Sequence, residues 1–382
     1  MYSHYFSDFL NAHKDKIHMA AHSHHFWPNS AKIGHEASYE NSMKHSDEKW
    51  GPIFETVIPK AQKIISEMIH FSRPKDISFA PNTHDLIIKL ISTYKKKSKM
   101  RILTTNSEFH SISRQLKILD ERDMVVIDYL DPENKTFEND LHEKLLKNTY
   151  DFIFMSHVFF NSGIILKDSM IDLITQNKKD AIFVLDAYHG FCAIPTDISK
   201  WENDLFYLAG SYKYAMSGEG MCFMTLPKNC QLEPLISGWF AAYSSLEASA
   251  SKEIQYENDG YRFWGSTIDC TPFFRFNSVW EEFKKQNISY KDFHQYVKKA
   301  QALFLEGVAF KEFIVEKDIS KIGHFITFDF ETPSKTKIIH EKLLKSSIMT
   351  DFRGTRLRFG FSPYINDNQI NQVKSILNHL KL

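Results

Sequence analysis

Two stretches of the chain run an apolar segment straight into an ionisable residue. Phe183-Val-Leu-Asp-Ala-Tyr-His189 carries an acid at Asp186, and Leu205-Phe-Tyr-Leu-Ala-Gly-Ser-Tyr-Lys213 carries an amine at Lys213, 27 residues further on. Both apolar runs have strand length and composition, so the acid and the amine stand at strand ends. A carboxylate and a lysine at neighbouring strand ends suit pyridoxal phosphate. The amine forms a Schiff base with the aldehyde, and the acid holds the pyridine nitrogen protonated so that the ring is an electron sink. A desolvated lysine there would have a lowered pKa and be a competent base. A structural Asp–Lys ion pair, or a strand-end lysine facing water, fits the same spacing.

Further polar groups follow other strand-like runs. Pro81-Asn-Thr-His-Asp85 lies between a strand and a helix, where free backbone N–H groups and the helix dipole attract an anion. Asn82 or Thr83 reads as the N-cap with Asp85 in the first turn, and a plain cap is the simpler alternative. Ser107-Glu-Phe-His110 and Ser156-His-Val-Phe-Phe-Asn-Ser-Gly163 occupy equivalent places after the next strands. Near the C-terminus, Arg358 has the planar fork suited to a carboxylate, with Arg353 and Arg356 as neighbouring competitors.

Asp186-Ala-Tyr-His189, Gly210-Ser-Tyr-Lys213-Tyr and Gly218-Glu-Gly220 resemble the core motif of the class V aminotransferase superfamily of fold-type I pyridoxal-phosphate enzymes, with kynureninase as the nearest branch. The resemblance extends to Gly238-Trp-Phe240, Gly260-Tyr-Arg262 and Arg358-Phe-Gly-Phe-Ser-Pro-Tyr-Ile-Asn366, and so covers most of the chain. It implies a mainly parallel seven-stranded-type sheet with helices on both faces, plus a smaller α+β C-terminal domain. By the resemblance, Lys213 is the Schiff-base lysine, Asp186 partners the pyridine nitrogen, and His189 sits beside the ring. Thr83, with Asn82 and His84, together with Ser211 and Tyr212, would reach the phosphate, and Tyr212 would also take part in proton transfer. Phe109, or His110, would stack on the ring. The asparagine that many relatives place against the ring hydroxyl falls on Phe160 here, with Asn161 one place late. Arg358 would hold the substrate α-carboxylate. Trp239 would line the site or reach the phosphate, and Ser266 or Thr267 would reach the phosphate of a neighbouring subunit in a homodimer.

Two departures bear on the substrate. Kynureninases carry a Ser-Asn pair where this chain has Trp264-Gly265, so a bulky indole, Trp264, replaces a polar reader. The opening His18-Met-Ala-Ala-His-Ser-His-His-Phe-Trp27 also differs, although Ser23 keeps its place. The resemblance therefore implies kynureninase-like hydrolytic cleavage of an amino acid or related amine, with class V transamination as the alternative. Cysteine desulfurases of the superfamily need a loop cysteine ahead of the C-terminal arginine, and Ile348–Arg356 contains none. Two readings stand outside the family. His22, His24 and His25 could share a metal ion as in metallohydrolases, with Asp186, His189, His110 and His157 available, but that leaves Lys213, Thr83 and Arg358 unexplained. A non-catalytic interaction protein on the same fold leaves the Asp–Lys pair unexplained. No metal is expected.

The elements that must position these residues follow from periodicity. Ile53–His70 reads as an amphipathic helix. After it, strand-like runs at Asp76–Ala80, Arg101–Thr104, Met124–Ile127, Asp151–Ser156, Ala181–Leu185, Leu205–Ala209 and Met221–Thr225 are interleaved with helices at Asp85–Tyr94, from Ser111, and at Asp168–Gln176. Such alternation gives a parallel sheet flanked by helices, whose ligands bind outside the carboxyl ends of the strands. From about Ser251 the pattern changes to helices at Thr271–Lys285, Tyr290–Ala309, Ser334–Lys345 and Asp367–Leu382, with strands at His324–Phe330 and Arg356–Phe361. The expected division is a large cofactor domain over 16–250 and a small domain over 251–382, joined by 1–15.

Composition excludes other classes. The 382 residues carry 47 Lys+Arg against 47 Asp+Glu, which removes the electrostatic case for nucleic acid or an anionic membrane as the main partner. The longest apolar stretches fall far short of the ~20 residues of a membrane span. Cys192, Cys222, Cys230 and Cys270 show no paired zinc spacing, which fits a reducing, cytoplasmic setting.

Overall fold

The computed structural model describes residues 2–245 and 254–380. The seven apolar runs pair into one sheet: β1 (Ile77–Ala80), β2 (Met100–Thr105), β3 (Val125–Leu130), β4 (Phe152–Ser156), β5 (Ile182–Asp186), β6 (Phe206–Gly210) and β7 (Cys222–Thr225). Their order is β1-β7-β6-β5-β4-β2-β3, and only β7 runs against its neighbours. Strands β4 and β6 are buried along their whole length, as a sheet covered by helices on both faces requires. Edge strand β3 instead leaves Val126 and Tyr129 about half exposed. The expected α/β architecture is therefore present, and six parallel strands bring their carboxyl ends to one rim.

Local chemistry explains where elements depart from expectation. The helix expected over Ile53–His70 opens with a π-helical segment at Ile53–Val57 before the α-helix Ile58–Ile69. Pro59 lacks an N–H and its ring crowds the carbonyl four residues earlier, so the first turn widens. The 16-residue helix Ser30–His45 has no apolar stripe to betray it. Its buried face is Ser30, Ala31, Gly34 and Ser38, pressed against the helix Thr271–Lys285. A Cβ on Gly34 would lie 2.5 Å from the Phe274 carbonyl oxygen, so small residues set the close approach. Helix Phe137–Lys147 buries only Phe137, Leu141 and Leu145.

Two main hydrophobic clusters organise the chain's ends. Phe6 and Phe26 belong with the large sheet and the helix Thr271–Lys285, whereas Ile17 and Met19 pack with the C-terminal elements. Those elements form a three-stranded antiparallel sheet, β8 (Phe325–Asp329), β9 (Asp351–Arg353) and β10 (Arg356–Gly360), in the order β9-β10-β8. Ile17–His18 pairs in parallel with Ile348–Met349, and Ala20 bridges Gly360. The N-terminal segment thus runs along the small sheet and carries residues 22–24 to the rim of the large one. Arg356 joins the two regions through a two-pronged contact with Glu133, at 2.5 and 2.7 Å. The sequence-based boundary between 250 and 251 lies outside the described residues.

Candidate functional site

The loops after β1, β2, β4, β5 and β6 enclose a cavity of about 230 Å³ lined by Asn82, Thr83, Phe109, Asp186, Tyr212 and Lys213, among others. A second cavity of about 210 Å³ shares Phe109, Phe160, His189, Tyr212 and Lys213 with it, and adds His22, Ser23, His24, Arg353 and Arg358. The two are halves of one space, one over the strand ends and one facing the small sheet.

The first half rests on strand-end geometry. Asp186 closes β5, is buried, and accepts a hydrogen bond from the Tyr188 N–H at 2.9 Å. Burial raises its pKa to about 6, opposed by that bond and by the charge of Lys213. Lys213 follows β6; burial and the positive charge of Arg358 lower its pKa to about 7, against the pull of Asp186 and Asp351. Its Nζ contacts His189 Nε2, and burial keeps that imidazole neutral. The turn between β6 and Lys213 depends on Gly210, where a Cβ would meet Cys222 Sγ and the Tyr188 ring at 2.7 Å.

Asn82 caps the helix Thr83–Ser92 by accepting from the Asp85 N–H at 2.9 Å. Thr83 lines the cavity at the head of that helix, where the helix dipole favours an anion. Phe109 is 41% exposed, with Lys213 Nζ 5.8 Å from its ring centre, so an aromatic face is free to cover a flat ligand. Behind it lies Glu108, a buried carboxylic acid to which sequence reasoning gave no role. It accepts from Thr105 Oγ1 at 2.7 Å and Ser156 Oγ at 2.5 Å, and burial raises its pKa to about 8.

In the second half, Arg358 is buried; it donates to the Phe160 carbonyl at 2.6 Å and to the Asp351 carboxylate. Tyr212 contacts His24 Nδ1 through its hydroxyl, and burial lifts the phenol to about 12. Asp351 carried no role in the sequence, and His22 and His24 were offered there only as possible metal ligands with His25. Asp351 gave no signal because only the pairing of its strand with that of Arg358 sets it beside the site.

Other expected residues lie elsewhere. Ser211 is fully buried and donates to the Gly218 carbonyl at 2.7 Å. His84 and Thr267 are exposed and line neither half. Trp239 is exposed and stacks on Phe240 at 3.9 Å, outside the cavity. Trp264 is 1% exposed and packs against Tyr261, Phe240 and Phe79, so its indole is core. No cysteine lines either half. Among the described residues no cluster of three or more His, Cys, Asp or Glu is placed to hold a metal, and no helix is long and apolar enough to cross a membrane.

The buried acid facing a desolvated lysine, the helix N-terminus and the free aromatic face fit the nitrogen, aldehyde, phosphate and ring of pyridoxal phosphate. Residues 19–351 match the family described as Aminotransferase class-V. The chain therefore belongs to the class V aminotransferase family, whose members are pyridoxal-phosphate-dependent enzymes of fold type I. Among curated proteins it is 27% identical over 188 residues to a mitochondrial cysteine desulfurase of Candida albicans, covering 47% of this chain and 37% of that one. It is 24% identical over 194 residues to a cysteine desulfurase of Shewanella sediminis, covering 50% and 47%. The chain thus matches less than half the length of each. Among solved structures, a complex of the cystine C–S lyase C-DES with its product cysteine persulfide superposes with a TM-score of 0.82 at 15% identity, over 99% of this chain and all of the other. These relatives carry desulfurase and C–S lyase names, which moves the finer assignment away from kynureninase.

Proposed function

We propose that this chain binds pyridoxal phosphate at Lys213 and cleaves a side-chain bond at the β-carbon of an amino acid without needing a keto-acid acceptor. The observation that carries the reading is the presence of two separate proton-transfer pairs around one cavity, Lys213 with His189 and Tyr212 with His24. Transamination returns a proton through the lysine alone; breaking a side-chain bond needs a second acid or base near the leaving group. The desulfurase and C–S lyase names of the relatives support sulfur as one such leaving group. Transfer of that sulfur to the protein's own cysteine is disfavoured, because all four cysteines precede residue 271 and none lines the cavity. Kynureninase-like hydrolysis remains the related form in which water attacks a side-chain carbonyl.

When bound, pyridoxal phosphate supplies an electron sink that stabilises negative charge at the substrate Cα. The remaining work falls to side chains. Asp186 supplies the buried negative charge against the pyridine nitrogen, and Thr83 with its helix N-terminus receives the phosphate. Arg358 and Arg353 orient the substrate carboxylate. Lys213, with its pKa lowered to about 7 so that much of it is the free amine near neutral pH, takes the Cα proton, with His189 accepting a hydrogen bond from its amine. Tyr212 protonates the departing group, and solvent-exposed His24 restores that proton from water.

A homodimer is part of the same reading. Leu235, Ile236, Trp239 and Tyr243, close together in the chain, are each exposed, and exposed Thr267 would meet a partner's phosphate. Four free thiols support a cytoplasmic setting.

The test is to load the purified protein with pyridoxal phosphate and follow β-substituted amino acids with and without an acceptor. Release of the side-chain group without acceptor is expected. His24→Phe should slow that release about a hundredfold while Cα deuterium exchange persists. Turnover that depends on an acceptor overturns the reading in favour of transamination.

A further inference from the structure

We infer that Asp351 is a specificity-determining residue that restricts this site to amino acids with one carboxylate and a neutral or cationic side chain. The inference rests on the proposed function above and deepens it.

Asp351 is not a mobile loop acid. It lies on β9 directly opposite Arg358 on β10, so the two side chains project from the same face of the sheet as a cross-strand pair. Its carboxylate contacts Arg358, accepts from Arg353 Nη1 at 3.0 Å, and lies 3.6 Å from His22 Nε2. The sheet register holds this acid beside Arg358 whether or not a ligand is present.

The charge count at this wall follows. Arg353 and Arg358 contribute two positive charges and Asp351 one negative. His22 is fully buried beside Asp351; burial holds it neutral, with a pKa of about 3, against the pull of that carboxylate. Asp351 stays ionised, because His22 and the two guanidinium groups hold its pKa well below the usual carboxylate range despite burial. The wall therefore carries one net positive charge, enough for one carboxylate. Arg353 lines this half with its side chain about half exposed, which leaves donors open to that carboxylate.

Lys213 also lines this half but is committed to the cofactor in the loaded enzyme, so a second carboxylate would have to share Arg353 and Arg358 with the first and with Asp351, whose fixed negative charge lies directly behind those guanidinium groups and repels it. A neutral amide or thioether meets no such cost, and a cationic group would find Asp351 as its partner.

The test uses isosteric pairs with the pyridoxal-phosphate-loaded enzyme: L-asparagine against L-aspartate and L-glutamine against L-glutamate. Binding is read from the change in the cofactor's visible absorbance, not from turnover. Wild type should bind each amide at least about tenfold more tightly than its acid. Asp351→Asn should erase most of that ratio by strengthening the acids, and Asp351→Glu, which keeps the charge, should retain it. Equal binding of acid and amide by wild type, or an unchanged ratio in Asp351→Asn with normal absorbance, overturns the inference while leaving the proposed function standing. Failure of wild type to take up pyridoxal phosphate overturns both.

Discussion

The most exposed element of the account is the state of Lys213. An ordinary lysine titrates near 10.5, and burial together with Arg358 lowers this one to about 7. At pH 7 about half of Lys213 is then the free amine, against roughly one part in 3,000 for an ordinary lysine, a gain of ~1,500-fold in reactive amine. The assay is the rate at which cofactor-free protein captures pyridoxal phosphate at Lys213 across pH, read by visible absorbance with Lys213→Ala as the blank. The rate should rise with a midpoint near pH 7 and level off above it. The same burial predicts a stability change. Below pH 7 both folded and unfolded chains carry the lysine proton, and the folded chain bears the cost of a buried charge, up to ~5 kcal/mol. The cost fades as pH rises from about 7 to 10.5. Lys213→Met should therefore be more stable than wild type at pH 6 and lose that advantage by pH 10, with Asp186 protonating in the acid range where it lacks its cation. A capture midpoint near 10, or a Met variant less stable at pH 6, would refute the placement of Lys213 in a desolvated, cation-lined cavity.

Two further outcomes follow from named contacts. Glu108 keeps its proton in the fold up to about pH 8 and loses it near 4.5 when unfolded, so it lowers wild-type stability as pH rises between those values. Glu108→Gln, close in shape to the protonated acid, should flatten that fall in urea denaturation and leave stability at pH 4 little changed; an unaltered slope would show that Glu108 is not a buried neutral acid. Gly210→Ala forces a methyl against Tyr188 and Cys222 and should cost about 1–3 kcal/mol, with pyridoxal phosphate uptake falling in parallel; a variant of normal stability and uptake would show that the strand end relaxes freely.

The strand-end chemistry was legible because the parallel sheet converts sequence position into space: an acid closing β5 and an amine closing the turn after β6 arrive at one rim whatever the loops between them do. Thr83 and Phe109 were legible for the same reason. Asp351 was not, since only the β9–β10 register sets it against Arg358, and His24, which the sequence offered only as one of a metal-binding group, reaches the cavity because the N-terminal run pairs with Ile348–Met349 more than three hundred residues away. Trp264 shows the converse. Its place after a Gly-Tyr-Arg-Phe turn looked like a site position, yet Tyr261, Phe240 and Phe79 offered it a core, and a large indole goes where it removes most apolar area from water. The helix Ser30–His45 escaped notice because its packing face is built from small residues rather than apolar ones.

The central claim, that Lys213 opposite Asp186 is where this chain holds pyridoxal phosphate, is tested most directly by borohydride trapping of the loaded protein followed by peptide mass mapping. The account expects a single pyridoxyl-modified residue, Lys213, with the modification lost in Lys213→Ala and weakened in Asp186→Ala. Stable modification of another lysine in place of Lys213, or none at all after loading, would contradict it.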